Sequence, residues 1–410
     1  MKGVILAAGL GEELKPITDE IPKPLIKICG KPLLQYAIER LRENGITSIF
    51  IVINSQDHLI REYFGRGTKY GVEITYAIQP AETPGIDNAI RAIADNFSES
   101  DKFILTHADI IVDPAILTRT LNAADNTGSD MAIAVSLQSE LQDFGVITMD
   151  SSGIITRILP DQDPKEGNYV VAGTFILNGS IFNYLNKGIP FNQCFNKIIE
   201  DGGRIAGGIW SDMWIDVGRP WDILRATEFI LSKLSNSIIS NKAKIEPNVE
   251  IKGPVIIEEG AELLNGSIIK GPVYIAKNAF IGNNSLIRDN TSIGEGSKVG
   301  MGVEIRSSVV MDHASIARLS YLGASIMGPG SVMHSGSITI NTPTPKQPIT
   351  TIIQGKEVIV PIPKFGAVIG AKAHIGVHSS LLPGTIVNNG ITIHPHKIIG
   401  GLIDKQDMGS

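Results

Sequence analysis

The chain has 410 residues, with 36 Lys and Arg against 42 Asp and Glu, for a net charge of −6 at pH 7. That length predicts two or three domains, and the mild acidity without a basic run argues against a nucleic-acid partner. The two cysteines, Cys29 and Cys194, exclude a disulfide framework, and no apolar run approaches the roughly 18 residues of a membrane helix, so a cytoplasmic protein with no membrane partner is expected.

The first apolar run, Val4 to Ala8, is too short for a signal-peptide core, and Gly9-Leu10-Gly11 and two glutamates follow it at once. It predicts a strand at 4–7 that enters the glycine loop Leu6-Ala7-Ala8-Gly9-Leu10-Gly11-Glu12-Glu13-Leu14-Lys15-Pro16. Such a loop can bring backbone N–H groups close to phosphate. It is not a Walker loop, because Gly-Lys-Ser/Thr is missing, nor a dinucleotide fingerprint, which wants a third glycine. An amphipathic helix at 33–44 stops at Gly45, and further helices are predicted at 56–64, 87–97 and 113–125. They alternate with strands at 48–53, 73–78, 103–106 and 131–135, and Asp113-Pro114 reads as an N-cap with a first-turn proline. Repeated βα units predict a mostly parallel sheet with ligands at the carboxyl ends of its strands. A helix at 221–234 and the linker Ser235-Asn236-Ser237 close a first domain at 1–234.

The second domain, 235–410, is built on a repeat. Stepping six residues from Ile239 gives Ile245, Ile251, Ile257 and Leu263, and then an apolar residue at every step to Met311. Four residues after each lies a small or β-branched residue, from Ala243 and Val249 to Val309 and Ser315. Neither helical nor strand periodicity yields this pattern, whereas a triangular coil of three strand-and-turn units does. The aliphatic residue stacks inside the prism and the small one fits near the corner. The register slips near Ala317 and is lost between about 341 and 364, where a loop and a protruding hairpin around Gln354-Gly355-Lys356 are expected. It returns at Ile369, Ile375 and Leu381.

Pro22-Lys23-Pro24-Leu25 and Gly30-Lys31-Pro32-Leu33-Leu34 add to the glycine loop a pattern that resembles the sugar-1-phosphate nucleotidyltransferases. It continues in Gln79, Gly85, Asp109, Phe144-Gly145-Val146, Gly173 and Trp214-Ile215-Asp216-Val217-Gly218-Arg219-Pro220. With the repeat attached, the chain resembles the bifunctional nucleotidyltransferase/N-acetyltransferases of nucleotide-sugar synthesis. The resemblance implies an α/β Rossmann-like nucleotidyltransferase domain followed by a left-handed parallel β-helix, a hand the period alone does not give. It implies a trimer formed through the prism faces, either a homo-trimer or an association with an active homologue. It also implies substrates, a nucleoside triphosphate and a hexose 1-phosphate, whose sugar phosphate attacks the α-phosphorus. That chemistry is mainly electrostatic. Lys23, Asp109 and Asp216 become the catalytic residues, with Asp109 and Asp216 holding Mg²⁺, a hard ion suited to carboxylates and phosphate oxygens. Leu6, Ala8, Gly9, Gly11, Gln79 and Gly85 become nucleotide-binding, and Gly145 and Gly173 sugar-binding.

Several positions depart from that pattern. The arginine that grips the triphosphate is Glu13, preceded by Glu12, and the lysine for the sugar phosphate is Asp161 in Pro160-Asp161-Gln162. The hydroxyl residue after Gly85 is Ile86. Like charges in contact cost on the order of kilocalories per mole at an effective dielectric near 20. In the repeat domain the family's catalytic histidine is Arg318, which is no base near neutral pH, and its companion asparagine is Ser320. The remaining histidines read as polar corner residues, with His374 and His378 as surface-cleft residues. The sequence therefore predicts a nucleotide- or nucleotide-sugar-binding protein, weakly active or non-catalytic, that associates with an active homologue. The alternative is an active nucleotidyltransferase in which Lys15 or Arg219 replaces the lost cations. Acetyl transfer stands behind both.

Overall fold

The computed structural model describes residues 1–80, 82, 84–137, 145–159 and 169–405. They form two compact units. The first comprises residues 1–10, 22–25 and 32–216; the second comprises 11–21, 26–31 and 217 onward.

The first unit is a nine-stranded sheet with helices on its faces. Lys2–Leu6 lies between Lys102–His107 and Ser48–Asn54, with Glu73–Gln79 outside the latter, all parallel. Successive residues alternate between faces. Ile5, Ile51 and Ile104 pack with helix Leu33–Glu43 on one side, and Val4, Val52 and Leu105 with Phe103 and Phe182 on the other. The expected mostly parallel sheet is instead mixed. Strand Tyr169–Asn178 runs antiparallel to Lys102–His107, Met131–Ser136 and Val146–Met149, and a bulge after Val171 adjusts its register. Its apolar run, interrupted only by Thr174, is buried on both faces and reads the same in either direction, which is why the pattern did not reveal it. The helix expected at 87–97 is shorter, Ile86–Arg91, followed by a 3-10 turn. There the Asn96 side chain donates to the Ile93 carbonyl in competition with the helix ladder.

The second unit is a left-handed parallel β-helix of three parallel sheets, with nine, eight and eight strands. Each coil is three six-residue units: Ile239 pairs with Ile257, Ile245 with Leu263 and Ile251 with Ile269. From Ile257 to Ile393 the inward aliphatics are fully buried, and Ile399 and Ile403 in the last coil are partly so. Small residues sit at the corners because the next coil leaves them no room. Many are serines whose hydroxyls donate to corner carbonyls, as Ser285 to Gly300 and Ser297 to Met311, both at 2.8 Å. Two register slips flank Ala317. Ile293 pairs with Val310, a coil one residue short that turns at Ser307 with φ +47°, and Val310 pairs with Met327, a second coil one residue short that turns at Ala324 with φ +46°. Val310, not Met311, points inward, and Ala314, not Ser315, is the fully buried corner residue. The run Val309-Val310-Met311 is apolar throughout, which hides the first slip.

Strands Thr350–Ile353 and Lys356–Ile359 form an antiparallel hairpin about Gln354-Gly355, both at positive φ. It does not simply protrude. Thr351 is buried and its hydroxyl donates to Gly384 at 2.7 Å, while Ile349 and Ile353 are buried with it. Segments 11–21 and 26–31 also belong to this unit. Asn389 donates to the Pro16 carbonyl at 2.8 Å, Lys27 pairs with Asp312 at 2.6 Å, and Gly30 lies against the Tyr274 ring too closely to admit a Cβ. Helix Pro220–Ser232 opens with a capping box, Asp222 accepting the Arg219 N–H at 2.8 Å. Cys29 and Cys194 are both free and buried.

Candidate functional site

In the first unit the site grows from the end of one strand. Lys102–His107 lies in register with Lys2–Leu6, and the Ala108 N–H extends that pairing to the Leu6 carbonyl at 2.9 Å. The chain turns through Asp109 into Ile110–Val112, which pairs antiparallel with Trp214–Asp216 and sets Asp216 opposite Ile110. The two carboxylates expected to hold metal thus come from neighbouring backbone positions of two distant segments. Lys23, in the 3-10 turn Lys23–Leu25, makes an ion pair with Asp109. Burial acts to raise the Asp109 carboxyl, but the Lys23 ammonium and His107 outweigh it and hold it below the usual carboxylate range. Burial pushes His107 below the ordinary imidazole value, against the pull of Asp109, so it is neutral at pH 7.

His107 opens onto a cavity of about 890 Å³, the size of a ligand pocket. Gly145 and Gly173 line it, as does the polar side of helix Phe191–Glu200 through Asn192, Gln193 and Asn196. Both glycines are at positive φ, and a Cβ at Gly173 would collide with Ile110. Gln79, buried at the end of its strand, donates to the Gly85 carbonyl at 2.9 Å, so these two expected nucleotide residues do meet. The next residue, Ile86, reaches the cavity, and Asp87 accepts the Phe191 N–H at 2.8 Å. Sequence reasoning missed His107 and Arg40. Arg40 shares a helix face with Leu33 and Ala37, and that placement was the available signal.

Ala7 donates to the Val52 carbonyl, and Ala8 and Gly9 follow at the strand's carboxyl end. In the second unit, Gly11 has φ +68° and its carbonyl accepts both the Leu14 N–H and the Thr18 hydroxyl. The acids that replace the phosphate-gripping residues are not bare. Glu12 pairs with Lys15 at 2.8 Å and Glu13 with Arg219 at 3.4 Å. The two cations expected to replace the lost ones are therefore each engaged with one of the intruding acids. Phe144 and Pro160-Asp161-Gln162 lie outside the described residues.

On the β-helix, Arg318 and Leu319 stand exposed at a corner, and Ser320 donates to the His334 carbonyl at 3.2 Å. Asn341 donates to the Tyr321 hydroxyl at 3.3 Å. The His334 ring stacks on His374 at 5.8 Å between centroids, and His378 on His396 at 5.5 Å. His334, His374 and His394 line a cleft of about 340 Å³. Among the described residues no group of three or more His, Cys, Asp or Glu side chains is arranged to hold a metal ion, and no helix is long and apolar enough to cross a membrane.

Residues 2–233 match the family model of nucleotidyl transferase, and residues 269–401 match that of the GMPPB C-terminal domain. The "Bifunctional protein GlmU" of Methanococcus maripaludis strain C7 is 36% identical, over 100% of this chain and 97% of that protein. A Sulfurisphaera tokodaii protein described as a bifunctional sugar-1-phosphate nucleotidylyltransferase/acetyltransferase is 32% identical over 100% of this chain and 98% of its own. A crystallised Bacillus anthracis protein, a candidate glucose-1-phosphate thymidylyltransferase in complex with sucrose, shares the fold with a TM-score of 0.50 and 24% identity, over 55% of this chain and 93% of its own. The chain belongs to the sugar-1-phosphate nucleotidyltransferase family, and its β-helix contains the stretch that matches the GMPPB C-terminal domain.

Proposed function

We propose that this chain binds nucleoside triphosphates or nucleotide sugars, turns them over weakly or not at all, and acts in the cytoplasm as a regulatory partner of an active homologue. The observation that carries this reading is Glu13. It occupies the place of the family's triphosphate-gripping arginine and is tied to Arg219, so an incoming triphosphate meets an acid and loses a cation together. The cavity at Gly145 and Gly173, and the contact of Gln79 with Gly85, support retained binding. Trimerisation through the β-helix would place such a chain beside its homologue.

Family members typically use a divalent metal, and the donors here suit one. Asp109 and Asp216 are hard oxygen ligands at neighbouring positions, too few for a closed cage, and so fit an ion completed by water and phosphate oxygens. Mg²⁺ held there would neutralise phosphate charge. Lys23 would bind phosphate in its turn, and the glycine backbone would leave room for the sugar.

The test is pyrophosphate release from a panel of nucleoside triphosphates and hexose 1-phosphates, with Asp109→Ala as the blank. The proposal expects little or no turnover above the blank, measurable nucleotide-sugar binding, and a gain of activity on combining Glu13→Arg with Asp161→Lys. Efficient wild-type turnover that vanishes in Asp109→Ala and is not raised by the double change would overturn it. A second reading, an active nucleotidyltransferase, is favoured by Lys23 resting on Asp109 with Asp216 beside it. It requires Lys15 or Arg219 to leave its acid. Both pairs are partly exposed, where ion pairs are weak enough to exchange. Acetyl transfer lacks a base at Arg318.

A further inference from the structure

Segments 11–21 and 26–31 belong to the unit of the β-helix, and they meet it in an ordered way. Gly30 lies against Tyr274, and Lys27 pairs with Asp312 at 2.6 Å. Glu20 pairs with Lys372 at 3.5 Å, and the Pro16 carbonyl accepts from Asn389 at 2.8 Å. In the nine-stranded sheet of the β-helix these partners lie on or just after the third, fifth, seventh and eighth strands. Followed backward from Gly30 to Pro16, the chain therefore climbs the β-helix coil by coil. The second half of the glycine loop rests against coils that are laid down only after the hairpin excursion.

Asn389 makes the highest of these contacts, and both ends of its amide are used. Its Oδ1 accepts the Ala371 N–H at 2.6 Å from the preceding coil, and its Nδ2 donates to Pro16. Satisfying the coil takes only the acceptor. The donor is directed at a carbonyl 373 residues away in sequence. The loop it holds is one folded piece. The Gly11 carbonyl takes both the Leu14 N–H and the Thr18 hydroxyl, and Leu14 and Ile17 are buried. A hold at Pro16 therefore fixes residues 11–18 together. Ordering such a loop costs conformational entropy, and a fold that has already ordered it leaves less of that cost to the binding step.

We propose that Asn389 is a positioning residue for the nucleotide: the late coils of the β-helix hold the glycine loop in its binding form, so that the β-helix is part of the nucleotide site and not only a stalk. This rests on the reading that the chain binds nucleotides through that loop.

Asn389→Asp in the full-length protein separates the two bonds. At about pH 8, where an aspartate is ionised, it keeps an acceptor for Ala371 and turns the donor facing Pro16 into a second acceptor. Hydrogen–deuterium exchange at residues 11–21 should quicken about fivefold, while exchange at 369–375 and 385–393 stays as in the wild type. Isothermal titration with UDP-glucose, dTDP-glucose and GDP-mannose should show the preferred one bound about fivefold more weakly. Unchanged exchange at 11–21, or faster exchange with unchanged affinity, would overturn the proposal. A wild type that binds none of the three would overturn the nucleotide reading itself, whatever the exchange shows. Should Asn389→Asp disturb its coil, exchange at 369–375 rises, and Lys372→Glu takes its place. That side chain is 73% exposed, so its change leaves the coil intact and sets a like charge beside Glu20. Exchange at 11–21 should then quicken about threefold with weaker binding; no change in either would contradict the proposal.

Discussion

Two charged side chains are buried among the described residues, one in each unit, and they are held in opposite ways. Arg40 lies under the sheet, grips a hydroxyl and a carbonyl, and keeps its charge even with its pKa pushed down to about 10. Asp222 lies on helix Pro220–Ser232 and accepts a backbone N–H, and burial pushes its pKa up to about 6 despite that bond and the nearby arginines. One is a charge the fold cannot shed at any ordinary pH. The other is a charge the fold would rather not carry. The β-helix interior shows the third solution, with no charge, only hydroxyls returned to corner carbonyls. Irreversible charge is thus placed beneath the turn that carries Asp109, and the acid sensitivity of Asp222 lies in the other unit.

Changing the two charges separately sharpens this contrast. The largest effect expected is from Arg40→Met. Leaving the Ile110 carbonyl and the Thr106 hydroxyl without their buried donor should cost about 3 kcal/mol in urea unfolding.

Asp222 comes next and is read by pH. Its folded pKa lies above its unfolded value near 3.8, so the native state holds the proton more tightly. Stability from this group is fully present below about pH 4, is lost as pH rises to about 6, and is flat above, an amplitude of at most about 3 kcal/mol. Asp222→Asn keeps an acceptor for the Arg219 N–H and removes the charge. It should flatten the unfolding midpoint between these pH values and raise it at pH 7. An unchanged profile would place the acid sensitivity in some other group.

Smaller effects belong to the uncharged and the exposed groups. Ser297→Ala, which removes the hydroxyl bonded to the Met311 carbonyl, should cost about 1 kcal/mol with no pH dependence. Glu13→Gln should change stability by less than about 1 kcal/mol, because its pair with Arg219 is partly exposed. Its effect should appear instead as tighter triphosphate binding in a titration with a non-hydrolysable analogue, and no tightening would mean that the acid does not face the nucleotide.

What could be read from the sequence follows the same physics. The six-residue stack was legible because each aliphatic has one place to go, and it misled only where three apolar residues in succession let Val310 replace Met311 unseen. The sheet's parallel half was legible from its βα units. The antiparallel strand Tyr169–Asn178 was not, since burial on both faces erases any sign of direction. The meetings of Lys23 with Asp109 and of Gln79 with Gly85 agree with motif positions that the resemblance had already singled out. Arg40 escaped because a lone arginine near Arg42 looks like a solvated helix edge. Only its phase with Leu33 and Ala37 marks it as inward.

The short coils at Ser307 and Ala324 and the excursion after Asn341 carry a consequence for how such a chain can change over generations. Ile326 pairs directly with Val368 although the whole hairpin lies between them, and the ladder runs on through both short coils. A stack in which each layer touches only its neighbours absorbs gains and losses of sequence at the corners without disturbing distant layers. Its length and its appendages are therefore open to revision by small genetic events. The sheet of the first unit has no such freedom, because Tyr169–Asn178 alone joins three other strands. New partners or new regulation should be expected to enter this lineage through β-helix corners, while changes in the sheet unit are confined to single side chains such as the one at position 40.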